Sequence, residues 1–115
     1  MQRDDAVLLD IARAADLILE FTREMDRESF AEDLKTQSAV LHQLLVMGEA
    51  VKRLSEDFRA LHGAVPWALI AGMRDVLIHG YDIVDLDQVW RTATTDVPDL
   101  LGHIRPLLAG VDAGD

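Results

Sequence analysis

Residues 36–61 read TQSAVLHQLLVMGEAVKRLSEDFRAL. Val40, Leu44, Met47, Val51, Leu54, Phe58 and Leu61 alternate steps of four and three. That spacing keeps one apolar stripe on one side of an α-helix, so a single long helix is expected over the stretch. Leu41, Leu45 and Gly48 form a second stripe beside it. One stripe can pack against a neighbouring helix. The other needs a later helix of the chain or a second copy of it. Gly48 costs about 1 kcal/mol of helix propensity, which points to close approach of another element there.

The flanks continue the pattern. Val7, Leu8, Ile11, Ala14, Ala15, Ile18, Leu19 and Met25 share a face, which predicts a first helix over residues 4–25. Asp4 or Asp5 suits its amino end as a cap. Residues 26–35 are polar around Phe30 and Leu34; a connector with one helical turn is expected, with Ser29 as its N-cap and Glu32 three residues on. Gly63 suits a C-cap and Pro66 the first turn of a third helix, expected over 66–79, with Trp67, Ile70, Met73 and Leu77 on one face. Gly80 ends it and residues 81–86 form a loop. Asp85 and Gln88 resemble a capping box for the last helix. Its apolar set is Val89, Trp90, Ala93, Val97, Leu100, Leu101, Ile104, Leu107 and Leu108. The phase survives Pro98, so that helix is expected to be continuous but kinked. No segment alternates as a strand would. The expected fold class is all-α: an antiparallel four-helix bundle with an extra short helix over residues 1–110, a frayed tail over 111–115, and two copies paired about a two-fold axis.

Composition narrows the function. At 115 residues the chain has room for one core. The absence of cysteine excludes a disulfide framework, a thiolate zinc site and a cysteine nucleophile. Met1 to Asp5 is not the basic start of a signal peptide, and no apolar run approaches the roughly 20 residues of a membrane helix, so a cytoplasmic protein is expected, with no membrane partner. Eleven basic against 21 acidic side chains give a net charge of −10, so attraction to nucleic acid has to come from a local basic cluster. Nine of the eleven basic residues are arginine, which favours forked contacts to carboxylate or phosphate.

The stretch with chemical content is residues 73–85, MRDVLIHGYDIVD. Arg74, Asp75, His79 and Tyr81 lie within eight positions of one another. On a helix, Asp75 and His79 would stack four apart, and the carboxylate would orient the imidazole and favour its protonated form. Arg74 and His79, five apart, would diverge by roughly 140° on an uninterrupted helix. Either the helix end near Gly80 brings His79 around, or the pair meets its counterpart from a second copy across a two-fold axis; the second arrangement also buries the spare stripe of residues 41–48. Histidine, with an ordinary pKa of about 6.5, serves as general base or acid, and arginine stabilises a phosphorane, so the pair suffices to cleave RNA through its own 2′-hydroxyl without a metal. The bland reading is a helix terminus with a surface ion pair.

The same stretch resembles the HEPN superfamily, whose signature is an arginine, four to six residues, then a histidine. It is most similar to HepT-like toxins, which carry arginine, four residues, histidine, one residue, tyrosine: here Arg74, His79 and Tyr81. Met47-Gly48-Glu49-Ala50 with Lys52-Arg53-Leu54-Ser55, Pro66-Trp67 with Ile70 to Asp75, and Asp85, Val89 and Trp90 extend the resemblance over nearly the whole chain. The resemblance implies a HEPN-like dimeric bundle and a metal-independent endoribonuclease with Arg74 and His79 as its catalytic pair at the subunit cleft. It implies that Asp75 fills the polar slot after the arginine, often asparagine in the family, and supports the histidine. It further implies that Tyr81 is modified with AMP by a cognate MntA-type nucleotidyltransferase antitoxin, the partner in a type VII-like toxin–antitoxin pair. Neither the residues nor the resemblance calls for a cofactor or a metal; His42, Glu49 and His103 match no ligand spacing. The other readings are a non-catalytic HEPN module that docks on the nucleotidyltransferase and presents its substrate, and a purely structural dimerising bundle.

Overall fold

Two long helices carry the core. Helix α1 (Arg3–Thr22) buries Val7, Leu8, Ile11, Ala12, Ala14, Ala15 and Ile18. Helix α3 (Leu34–Lys52) buries Val40, Leu44, Met47, Ala50 and Val51 against it. Ser55, just past the end of α3, is hydrogen-bonded to Asp4 at the start of α1, so the two helices run antiparallel. The computed structural model describes residues 3–73, 78–79 and 83–113. Over these the fold is all-α, as expected, with one two-residue antiparallel ladder.

Between the long helices lies α2 (Arg27–Ala31). Its N-cap is Asp26 rather than Ser29. The Asp26 carboxylate accepts the Ser29 N–H at 2.8 Å, while the Ser29 hydroxyl accepts the Asp26 N–H at 3.0 Å. Aspartate takes the cap and serine fills the third helical position of the capping box. Asp33 then caps α3 through the Thr36 N–H at 3.0 Å. The Gln37 amide, buried, donates to the carbonyls of Phe30 and Ala31 at 2.9 and 3.0 Å and ties α2 to α3.

The helix expected to run to residue 61 breaks at Lys52. Residues 53–55 leave the helix and α4 (Glu56–Leu61) restarts from Ser55, whose hydroxyl accepts the Phe58 N–H at 3.1 Å. Period alone carries the apolar stripe across the break: Leu54 is buried, but Leu61 is 78% exposed. Ser55 is a strong cap, and its partner Asp4 lies 51 residues away, which no local pattern reveals. Asp4 thus clamps Ser55 instead of capping its own helix.

Helix α5 (Trp67–Ala71) follows, with Pro66 at its N-cap and Gly72 at its C-cap. A third helix continuous to residue 79 is not what forms: α5 stops at Ala71, and Ile78–His79 is β-strand β1, paired antiparallel with β2 (Ile83–Val84). Gly72 weakens helix continuation, and Ile78, Ile83 and Val84 are β-branched residues that favour the ladder. Residues 81–86 are therefore not a loop throughout.

The last rod is α6 (Leu86–Arg91), a π-helical turn over Thr92–Asp96, and α7 (Val97–Ala113). The predicted core phase holds: Val89, Ala93, Val97, Leu100, Leu101 and Ile104 are all buried. The irregularity anticipated at Pro98 is the widened turn just before it, where the proline ring would crowd the carbonyl of Thr94. Helical backbone continues to Ala113, past the expected limit near residue 110.

Candidate functional site

The signature segment begins where α5 meets α3. A Cβ placed on Gly48 would lie 3.4 Å from the Ile70 carbonyl oxygen and 3.5 Å from that of Ala71. There is room at Gly48 for a methyl group and little more, so a small residue there lets the end of α5 rest on α3, and the second stripe of α3 is partly covered from within the chain. Leu45, 37% exposed, remains open. At the other end of α5, Trp67 is buried; its indole N–H donates to the His62 carbonyl at 3.0 Å, and its ring lies 6.1 Å from that of Phe58. Ile70 and Met73 are buried too.

Beyond the segment the chain is anchored again. His79 pairs with Ile83 and Ile78 with Val84, so the ladder brackets residues 80–82. Asp85 caps α6 by accepting the Gln88 N–H at 3.1 Å, as expected. Trp90 packs on Phe30 with ring centroids 5.2 Å apart, and an Arg27–Asp87 ion pair joins α2 to α6 beside it. Trp67 and Trp90 are therefore packing anchors at either end of the stretch, consistent with their apolar spacing.

Of the four residues expected to carry chemistry, Arg74, Asp75 and Tyr81 lie outside the described residues, and His79 is described by its backbone alone. The backbone of His79 is in a strand rather than at the end of the expected helix. His42, Glu49 and His103 are exposed, Glu49 facing Lys52 at 3.4 Å, and no group of three or more histidine or acidic side chains among the described residues is placed to hold a metal.

The carboxylates with displaced pKa values are Asp4, Asp26 and Asp33, each held below its ordinary value of 3.8. The cause is hydrogen bonding to the ionised form: the hydroxyl and N–H of Ser55 at Asp4, the N–H and hydroxyl of Ser29 at Asp26, those of Thr36 at Asp33. One feature escaped the reading of the sequence. Arg3, Asp4, Lys52, Arg53, Leu54 and Ser55 line a pocket of about 270 Å³. Its halves are separated by 51 residues between Asp4 and Ser55, and Asp4 has the ordinary look of a cap.

Comparison with known proteins decides the family. Residues 11–107 match the family model described as "HepT-like: Ribonuclease HepT-like". This chain belongs to the HepT-like ribonuclease family. It is 48% identical over 100 residues to "Probable ribonuclease HepT" of Thermococcus cleftensis, covering 87% of this chain and 91% of that protein. It is 42% identical over 107 residues to "Putative RNase MJ0125" of Methanocaldococcus jannaschii, covering 93% and 92%. It is 36% identical over 98 residues to "Putative RNase TTE0752" of Caldanaerobacter subterraneus, covering 85% and 88%. No solved structure matches the chain. The HepT-like match takes in Gly48, Trp67, the whole of residues 74–81 and Trp90, and leaves Arg3 and Asp4 outside.

Proposed function

We propose that this HepT-like chain is a metal-independent endoribonuclease, the toxin of a toxin–antitoxin pair, acting as a homodimer with Arg74 and His79 in the cleft between copies. The observation that carries the reading is the family match over residues 11–107, which includes both residues at the signature spacing. Relatives named as RNases over nearly their full length support RNA as the substrate.

The chemistry balances without a metal. The RNA 2′-oxygen forms a bond to the adjacent phosphorus as its proton passes to a neutral imidazole of His79. The bond from phosphorus to the 5′-oxygen breaks, and that oxygen takes a proton from an imidazolium. The Arg74 guanidinium meets the charge of the phosphorane in a forked contact. The imidazolium formed in the first step is the acid of the second, so one imidazole and one guanidinium make a complete site. Asp75 is a positioning residue for His79. Tyr81 is the acceptor of AMP from an MntA-type nucleotidyltransferase; the added phosphate brings negative charge and bulk beside the cleft and blocks RNA entry.

Purified protein incubated with total RNA in excess EDTA tests this. Wild type cleaves; His79→Ala and Arg74→Ala lose cleavage by about 10²–10⁴-fold with an unchanged oligomeric state. No cleavage by wild type under any condition, with tight binding to the nucleotidyltransferase, would instead favour the non-catalytic docking module. Mass spectrometry after co-expression with the nucleotidyltransferase tests Tyr81: the expected mass increment is AMP on that residue, and modification elsewhere contradicts its role.

A further inference from the structure

An acidic protein that takes RNA needs somewhere to hold the backbone, and the pocket between the start of α1 and the end of α3 is suited to it. Three of the eleven basic residues, Arg3, Lys52 and Arg53, line this one pocket, and Asp4 is the carboxylate among them. Asp4 is already engaged. Its two oxygens accept the Ser55 N–H at 2.8 Å and the Ser55 hydroxyl at 2.7 Å. The cations are held far more loosely. Lys52 faces Glu49 at 3.4 Å and Arg53 faces Asp10 at 3.5 Å, each side chain more than half exposed. Ion pairs this long and this exposed contribute about 0–1 kcal/mol and give way readily to a better anion.

Position adds to the case. Lys52 lies one helical turn beyond Gly48, about 6 Å along the α3 axis. Gly48 is where the end of α5 rests before the chain enters the signature segment. The pocket and the entry to that segment therefore occupy neighbouring stretches of the same helix.

We infer that Arg3, Lys52 and Arg53 form a phosphate-binding subsite that grips the RNA backbone to one side of the scissile bond. The inference rests on the ribonuclease reading and extends it to the way substrate is held.

The test uses full-length protein and a fluorescein-labelled uridine 12-mer RNA, read by anisotropy across a salt series, with cleavage kinetics on the same oligonucleotide. In the triple variant Arg3→Gln, Lys52→Gln, Arg53→Gln, the Kd is expected to rise at least about tenfold and the slope of log K against log salt to flatten by about 2. KM rises while kcat holds. Arg105→Gln, an exposed cation paired with Asp16 on α1, leaves both unchanged. Asp10→Asn, which releases Arg53, tightens binding. A triple variant with wild-type Kd and salt slope overturns the subsite while wild-type cleavage leaves the ribonuclease reading standing. Wild-type protein that neither binds nor cleaves RNA overturns both.

Discussion

The rods α1, α3 and α6–α7 and the chain from Ser55 to Asp85 are built on different principles. In the rods, helical period decides which side chains are inside. Leu8, Ile11, Ile18, Val40, Leu44, Met47, Val97 and Ile104 are all buried. Among the described residues from Ser55 to Asp85 the elements are six residues long or fewer, too short for period to fix them. Specific contacts hold them instead: Asp4 on Ser55, the Trp67 indole on the His62 carbonyl, the α5 carbonyls on Gly48, Asp85 on the Gln88 N–H. The lesson is that the short elements need directed polar contacts beside their few buried side chains, Trp67, Ile70 and Met73, where the rods are fixed by apolar area.

The comparison can be broken by mutation, the largest effect first. Met47→Ala, in the fully buried stripe of α3, is expected to cost about 2–5 kcal/mol and lower Tm by roughly 10 °C or more. Leu61→Ala, in the continuation of the same stripe past the break, changes Tm little, because Leu61 is 78% exposed. Equal losses at the two positions by thermal unfolding would mean that the stripe runs on as one helix. Next comes Ser55→Ala, which removes the α4 cap and one of the two bonds from Asp4; about 1–2 kcal/mol is expected in urea unfolding. Loss confined to α4, seen as faster amide exchange over residues 56–61 with the α1 amides unaltered, would argue that the clamp does not couple the two regions.

A smaller effect follows from acid. The Asp4 carboxyl is held below 3.8 in the folded protein by Ser55. Its contribution is therefore present above the ordinary carboxylate value and lost as pH falls through the lower folded value. Urea titrations of Asp4→Asn and wild type should differ at neutral pH and draw together as pH falls below the ordinary carboxylate value. A difference that grew on acidification would contradict the clamp. Smallest is Gly48→Ala: contact at 3.4 Å from the Ile70 carbonyl is ordinary, and the gain in helix propensity offsets any crowding, so stability should change by under about 0.5 kcal/mol. Gly48→Leu, by contrast, has to displace α5 and should impair cleavage more than it lowers Tm.

How far the sequence foretold the molecule follows the same division. The all-α class, the core face of each rod and the unbroken phase through Pro98 were legible, because each rests on many residues repeating one period. The break at 53–55 was not, since the stripe of Leu54, Phe58 and Leu61 continues the spacing and the partner that stabilises Ser55 lies 51 residues away. The strand at Ile78–His79 was hidden for another reason: two residues are too few to show alternation, and the helical spacing of Trp67, Ile70 and Met73 projects past Gly72. The signature residues were legible as a motif, Arg74 to His79 to Tyr81, and through it the family. A motif gives order along the chain and not which side chains meet, so it left their arrangement open.

That last point is open to one direct measurement. If the guanidinium of one copy works with the imidazole of the other, Arg74→Ala and His79→Ala proteins, each inactive alone, should regain RNA cleavage when unfolded together and refolded as a mixture, since half of the mixed dimer's sites then carry both native groups. A mixture no more active than either variant alone would contradict a site shared between copies, and wild-type cleavage by the His79→Ala protein itself would contradict the ribonuclease chemistry assigned to this histidine.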